Sequence, residues 1–169
     1  MFEARLVSAE PASVAETKNK NKPDFFSGVG CWGSQVLIGS SLLMFVLACA
    51  TPAMVFDKET WPGVQVLALG WQGVFLGQFA WFANAFWFLS LLLAFFRRWL
   101  LALAATFVTL VVALDSLSFL NTKVPLDEGF VNTMVFKSYH VGYYFWMASI
   151  GMIGLGAIVM WFITRPSHQ

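Results

Sequence analysis

Few residues in this chain carry side chains able to bind a ligand or hold a proton while sitting inside otherwise apolar sequence. Asp115 is the one carboxylate within such a stretch, WLLALAATFVTLVVALDSLSFL at 99–120. An ionised carboxylate near the middle of a bilayer costs on the order of 2.5–3.5 kcal/mol, so it marks either a functional group or an acid bonded at a helix end. Here the structural version would pair it with Ser116, Ser118 or a neighbouring segment. Asn84 and Gln78 stand in the preceding apolar stretch, and His140, Tyr143 and Tyr144 enter the last one. Counted from the pair Arg97-Arg98 at 1.5 Å per residue, Asn84 lies ~20 Å and Asp115 ~25 Å along antiparallel helices. His140 and the two tyrosines fall at matching height. The expected site is therefore Gln78, Asn84, Asp115, His140, Tyr143 and Tyr144, walled by Trp81, Trp87 and Trp146. Such a site would take a small ligand at the outer half of a helix bundle; the competing reading is an interhelical hydrogen-bond cluster with an aromatic belt and no ligand.

Other chemistries find no residues. His140 and His168 are the two histidines, which leaves no paired axial ligands for a transmembrane haem, and no thiolate or histidine cluster has zinc spacing. There is no phosphate loop, one His beside one Asp does not make a triad, and a single intramembrane acid is not a proton path. The expectation is a chain without metal, cofactor or catalytic residues. If the segment between them is helical, Cys31 and Cys49 lie ~27 Å apart, beyond disulfide reach.

The elements that position these residues follow from composition. Of 169 residues, 59% are hydrophobic and 11% charged, against about a quarter charged in soluble domains, so the class is a membrane protein. Ten basic against nine acidic residues give no excess for a nucleic-acid backbone. Residues 1–30 read as a polar, disordered cytoplasmic tail ending in Lys18, Lys20 and Lys22 rather than as a secretory signal. Residues 31–165 read as an all-α domain of four transmembrane helices, at about 34–56, 78–96, 99–120 and 141–163. Pro52 falls in the last turn of the first span, where it can end or kink the helix. The glycine- and glutamine-rich segment 61–77 reads as an interfacial or re-entrant helical piece before the second span. Residues 121–140 read as a polar loop.

With both termini inside, the inner segments hold Arg5, Lys18, Lys20, Lys22, Arg97, Arg98 and Arg165. The outer loops hold Lys58, Lys123 and Lys137. Seven against three predicts a multi-pass plasma-membrane protein with both ends in the cytoplasm. Small residues at Ala148, Gly151, Gly154 and Ala157 offer a close-packing stripe, for the bundle interior or for a homo-oligomer through the Gly151/Gly154 face, and Gly73 with Gly77 form a second small pair.

Two stretches, FAWFANAFWFLSLLLAFFRRW (79–99) and GYYFWMAS (142–149), resemble small uncharacterised bacterial inner-membrane proteins of four spans. In these a second helix with an Asn-Pro step, ending in arginines, pairs with a GYYLWLAS-like fourth helix. The resemblance covers about 65–163 and departs at Ala85, where proline would follow Asn84. It implies that Asn84, Tyr143 and Tyr144 belong to one site and transfers no catalytic residue. The functional expectation is a non-catalytic integral membrane protein, accessory or immunity-like, that binds a partner membrane protein or an apolar or amphiphilic ligand. The alternative is a small transporter or channel subunit using Asp115.

Overall fold

The computed structural model describes residues 25–119, 123–125 and 133–164, with the side chains of 25–31 and Pro125 excepted. The predicted Lys/Arg count on the tail, and Asp127, Glu128, Arg165 and His168, lie outside the described residues.

Helix α1 (Phe25–Ala50) begins inside the predicted tail and stops two residues before Pro52. Proline has no N–H for the Ala48 carbonyl and its ring clashes with the preceding turn, so the helix cannot run on to 56 as expected. The chain instead forms strand β1 (Pro52–Phe56), turns at Asp57-Lys58-Glu59 and returns as β2 (Thr60–Pro62). There follow a short helix α2 (Gly63–Leu69), a 3-10 segment (Gly70–Leu76), and a left-handed turn at Gly77 with φ 72°. A further 3-10 turn (Ala80–Phe82) leads into α3 (Ala83–Phe95).

Arg97, at φ 57°, closes α3 where glycine is usual: its N–H reaches the Ala94 carbonyl at 3.0 Å and the Arg98 N–H reaches that of Leu93 at 2.9 Å. Helix α4 (Trp99–Leu114) continues as a 3-10 turn (Asp115–Phe119). Strands β3 (Lys123–Pro125) and β4 (Thr133–Tyr139) precede α5 (Val141–Thr164).

The expectation of an all-α domain is therefore corrected. A four-stranded antiparallel sheet in the order β2-β1-β4-β3 joins the end of the predicted first span and the charged turn after it to the segment read as a polar loop. Met134 and Phe136, two apart on β4, pack inward on Phe56 of β1, with Trp61, Phe119, Val124 and Tyr139 around them. Asp57 fastens the hairpin to β4 by accepting the Val135 N–H at 2.9 Å, and Lys58 Nζ donates to the Thr133 carbonyl at 2.9 Å.

Three helices are long and apolar enough to cross a membrane: Trp32–Ala50, Trp99–Phe119 and Val141–Thr164. The predicted second span, 78–96, is instead a 13-residue helix after a 3-10 turn, ~20 Å long by itself. Helix α5 packs antiparallel on α1 and α4, and α4 on α3. One core cluster joins Ala83, Trp87 and Leu91 of α3 to Ala113, Ile150 and Ile153; another joins Ala94, Trp99 and Ala102 to Ala157 and Met160. Between them the Trp87 indole donates to Ser41 Oγ at 3.2 Å, and Ser41 Oγ donates to the Ser149 carbonyl at 2.8 Å, tying three helices together. Ser40, Ser90, Thr106 and Thr109 bond back to their own helices.

The small stripe on α5 divides. A Cβ at Gly154 would stand 3.0 Å from Thr106 Cγ2 and one at Gly156 3.0 Å from Leu37 Cδ1, whereas Gly151 meets nothing. Gly154 thus packs on α4 inside the bundle, while Gly151 stays open. Gly73 and Gly77 do not form a helical pair, because Gly77 ends its 3-10 segment.

Candidate functional site

The sheet lies against the end of the helices where α1 stops and α5 starts, and the junction is close. A Cβ at Gly142 would lie 2.8–3.0 Å from the carbonyl oxygens of Pro52, Thr51 and Ala48, and one at Gly63 2.0 Å from Ala48 O. Glycine at both positions lets β1, α2 and α5 converge on the carbonyl that Pro52 leaves unpaired in α1. What this convergence does not fill is a cavity of about 570 Å³ between the helix ends, the sheet and the segment 63–78. Phe45 and Cys49 line it from α1, Met54, Phe56 and Trp61 from the sheet, and Leu67, Trp71 and Phe75 from the segment that follows.

Five of the nine residues expected at the site line this one cavity: Gln78, Trp81, Asn84, Tyr143 and Trp146. Asn84 works as a clamp. Its Oδ1 accepts the Trp146 indole N–H from α5 at 2.9 Å, and its Nδ2 donates to the Trp81 carbonyl at 2.9 Å. The Trp81 indole in turn donates to the Leu67 carbonyl at 2.7 Å, holding α2 to the start of α3. Its ring also fills the space where a Cβ at Gly70 would lie, 2.6 Å from Trp81 Cδ1. Gln78 is buried, 7% exposed, with Oε1 at 2.9 Å from Ser118 Oγ.

The other four are placed elsewhere. Asp115 Oδ2 accepts the Phe79 N–H at 2.6 Å, capping from a neighbouring element the turn that opens α3, which otherwise has no side-chain cap. His140 is exposed, in the link between β4 and α5, and makes no hydrogen bond or ion pair with Asp115; its backbone N–H donates to the Ala53 carbonyl. Tyr144 is 63% exposed and points away from the cavity that Tyr143 lines. The expected aromatic wall is also amended, since Trp87 is buried in the helix core, stacked on Phe45 at 4.1 Å, and does not reach the cavity.

Sequence reasoning missed the Ser116 hub. Ser116 Oγ donates to the Ala113 carbonyl at 2.6 Å, so at 3.1 Å the Tyr143 hydroxyl donates to it, while the Tyr139 hydroxyl donates to the Ser116 carbonyl. The two tyrosine rings stack at 3.9 Å. Burial and the neighbouring Tyr143 push the Tyr139 phenol up to about 12, opposed by its bond to Ser116. Among the described residues no group of three or more His, Cys, Asp or Glu could hold a metal ion. Among the described residues no Asp, Glu, Lys, Arg or His lines the cavity.

The chain matches no family model, no curated protein and no solved structure. Function therefore has to be argued from the cavity itself.

Proposed function

We propose that this chain is a non-catalytic integral membrane protein that binds an apolar or amphiphilic small molecule in the cavity between its sheet and its helix ends. The observation that carries the reading is a void of about 570 Å³ with aromatic walls and a few converging polar groups, the usual make-up of a small-ligand site. The cavity has an apolar approach: Trp71 is 48% and Phe75 80% exposed at its edge.

Chain direction supports four crossings with both ends on one side. Helix α1 runs toward the sheet, and α4 starts at the Arg97-Arg98 turn and also runs toward the sheet, so the chain must return between them. Helix α3 is that return, and its shortness is made up by the segment before it. The basic residues then favour an inner-membrane setting with the arginine pair in the cytoplasm, sheet and cavity lying outside. The Asp115 transport reading has less support, because its carboxylate is engaged with the Phe79 amide at the edge of the helical layer.

Cys49 gives the test, as a free thiol lining the cavity. In a Cys31→Ser background, alkylation of Cys49 by a small apolar maleimide should slow severalfold when dodecanol or dodecane is added to the detergent-solubilised protein. A rate unchanged by both would overturn the reading.

A further inference from the structure

The walls of the cavity say more about its guest than that it is apolar. Gln78 is more than nine-tenths buried and lines the cavity. One end of its amide is engaged by Ser118, and among the described residues the Nε2 group has no acceptor. Since among the described residues no fully enclosed side-chain nitrogen or oxygen lacks a partner, the free end of this amide must face open space, and the space it borders is the cavity. Of the other polar side chains on the wall, Asn84 is occupied by Trp81 and Trp146, Ser116 by Ala113 and Tyr143 by Ser116, while Gln72 is exposed rather than buried. A buried amide end left unmatched costs free energy, so it is the point where a guest would gain a hydrogen bond.

From this we infer that the cavity takes a neutral lipid-soluble alcohol, a molecule with one hydroxyl head and an otherwise apolar body, entering from the bilayer with its head on Gln78. The inference rests on the ligand-binding reading above. Charge argues against the other membrane amphiphiles: with no Asp, Glu, Lys, Arg or His on the wall among the described residues, a carboxylate, phosphate or ammonium head would be desolvated without a counter-charge. The choice of a hydroxyl follows from Ser118. Its Oγ lies 2.6 Å from the Asp115 carbonyl oxygen and 2.9 Å from Gln78 Oε1, and a hydroxyl has one proton to give. Serving the carbonyl turns the amide so that Nε2 meets Ser118 and Oε1 meets the guest; serving the amide does the reverse. An alcohol both donates and accepts and fits either orientation, which a ketone or an ether does not.

Entry from the lipid side follows from the rim. Leu69, Trp71 and Phe75 line the cavity and are themselves exposed, with Val74 and Phe79 beside them, so the opening is bordered mainly by apolar side chains, with Gln72 between them, and not by the charged hairpin at Asp57-Lys58-Glu59. The interfacial segment predicted from its glycines and glutamines thus forms the threshold.

Tryptophans on the wall supply the readout, because bromine quenches indole fluorescence on contact and Trp61, Trp71, Trp81 and Trp146 all line the cavity. The protein in mild detergent is titrated with a long-chain bromoalkanol, the matching bromoalkanoate and the matching bromoalkane. One neutral hydrogen bond corresponds to about three- to ten-fold in affinity, so saturable quenching by the alkanol should occur at concentrations lower by that factor than for the other two. Gln78→Leu should bring the alkanol down to the alkane. Saturable quenching by all three with equal strength in the wild-type chain would overturn the alcohol and leave the cavity reading standing. Absence of saturable quenching by any of them would overturn both. The wild-type series decides the matter even where Gln78→Leu fails to fold.

Discussion

The Asn84 clamp makes a quantitative claim that a double-mutant cycle can test. Asn84→Ala removes two hydrogen bonds, each 2.9 Å long, leaving the Trp146 indole N–H without its partner and the Trp81 carbonyl with backbone donors alone. Hydrogen bonds net about 0.5–1.5 kcal/mol each, so the single substitution should cost about 1–3 kcal/mol. Trp146→Phe keeps the ring against Tyr143 and removes the indole N–H. If the bond across α3 and α5 is real, the two substitutions together should cost less than their sum by about 0.6 kcal/mol, the average for interhelical bonds in membrane proteins, and at most about 1.7. Reversible unfolding in mixed micelles, followed by far-ultraviolet circular dichroism, measures the four corners of the cycle. Strict additivity, within about 0.3 kcal/mol, would refute the reasoning, since it would mean that Trp146 and Asn84 do not meet.

Gly142→Ala places a methyl group against three carbonyl oxygens and should destabilise the fold by about 1–3 kcal/mol, whereas Gly151→Ala meets open space and should leave stability equal or slightly raised; thermal unfolding compares them directly. Asp115→Asn retains an acceptor for the Phe79 N–H and should be nearly silent, while Asp115→Ala should cost about 1 kcal/mol, the size of a lost helix cap. Loss of ion or solute flux in Asp115→Asn liposomes, at normal expression, would favour the transport alternative instead. Tyr139 bears on alkaline stability. Its phenol is held at about 12 in the fold against about 10 unfolded, so its contribution is intact below about pH 10 and declines as the pH rises toward 12, because the unfolded chain gives up the proton first. Tyr139→Phe should flatten that decline in a pH series of unfolding midpoints.

The helices were legible because long uncharged runs between charges leave little choice, and the ends of the last two spans agree closely with Trp99–Phe119 and Val141–Thr164. The sheet was not legible for two different reasons. PAMVF adjoins an apolar helix, so hydropathy reads straight through it, and only Pro52 signals the break. TMVFKSY does alternate, with Met134 and Phe136 inward, but its partner β1 lies some eighty residues away and no local pattern announces the pairing.

The site followed the same logic. Asn84 and Gln78 were conspicuous as polar residues inside apolar sequence, while the bond from Trp146 to Asn84 joins a residue expected only in the aromatic wall. Adjacent helical residues point about 100° apart, so Tyr143 and Tyr144 could not both face inward. The contact of Gly142 with α1 fixes that phase, and it depends on tertiary packing. Asp115 was noticed for its cost, yet that cost is met by one backbone N–H. The sheet wall of Met54, Phe56, Trp61 and Val124 could not be anticipated without the sheet.

Native mass spectrometry of the protein released from mild detergent addresses the central claim most directly, comparing the wild-type chain with Val66→Trp, which puts an indole into the cavity from α2. The wild type should carry an additional small-molecule mass, endogenous or taken up from added dodecanol, and Val66→Trp should lose it while remaining folded. A bare polypeptide mass for the wild type with dodecanol present, or equal retention by Val66→Trp, would contradict the assignment of this cavity as a binding site.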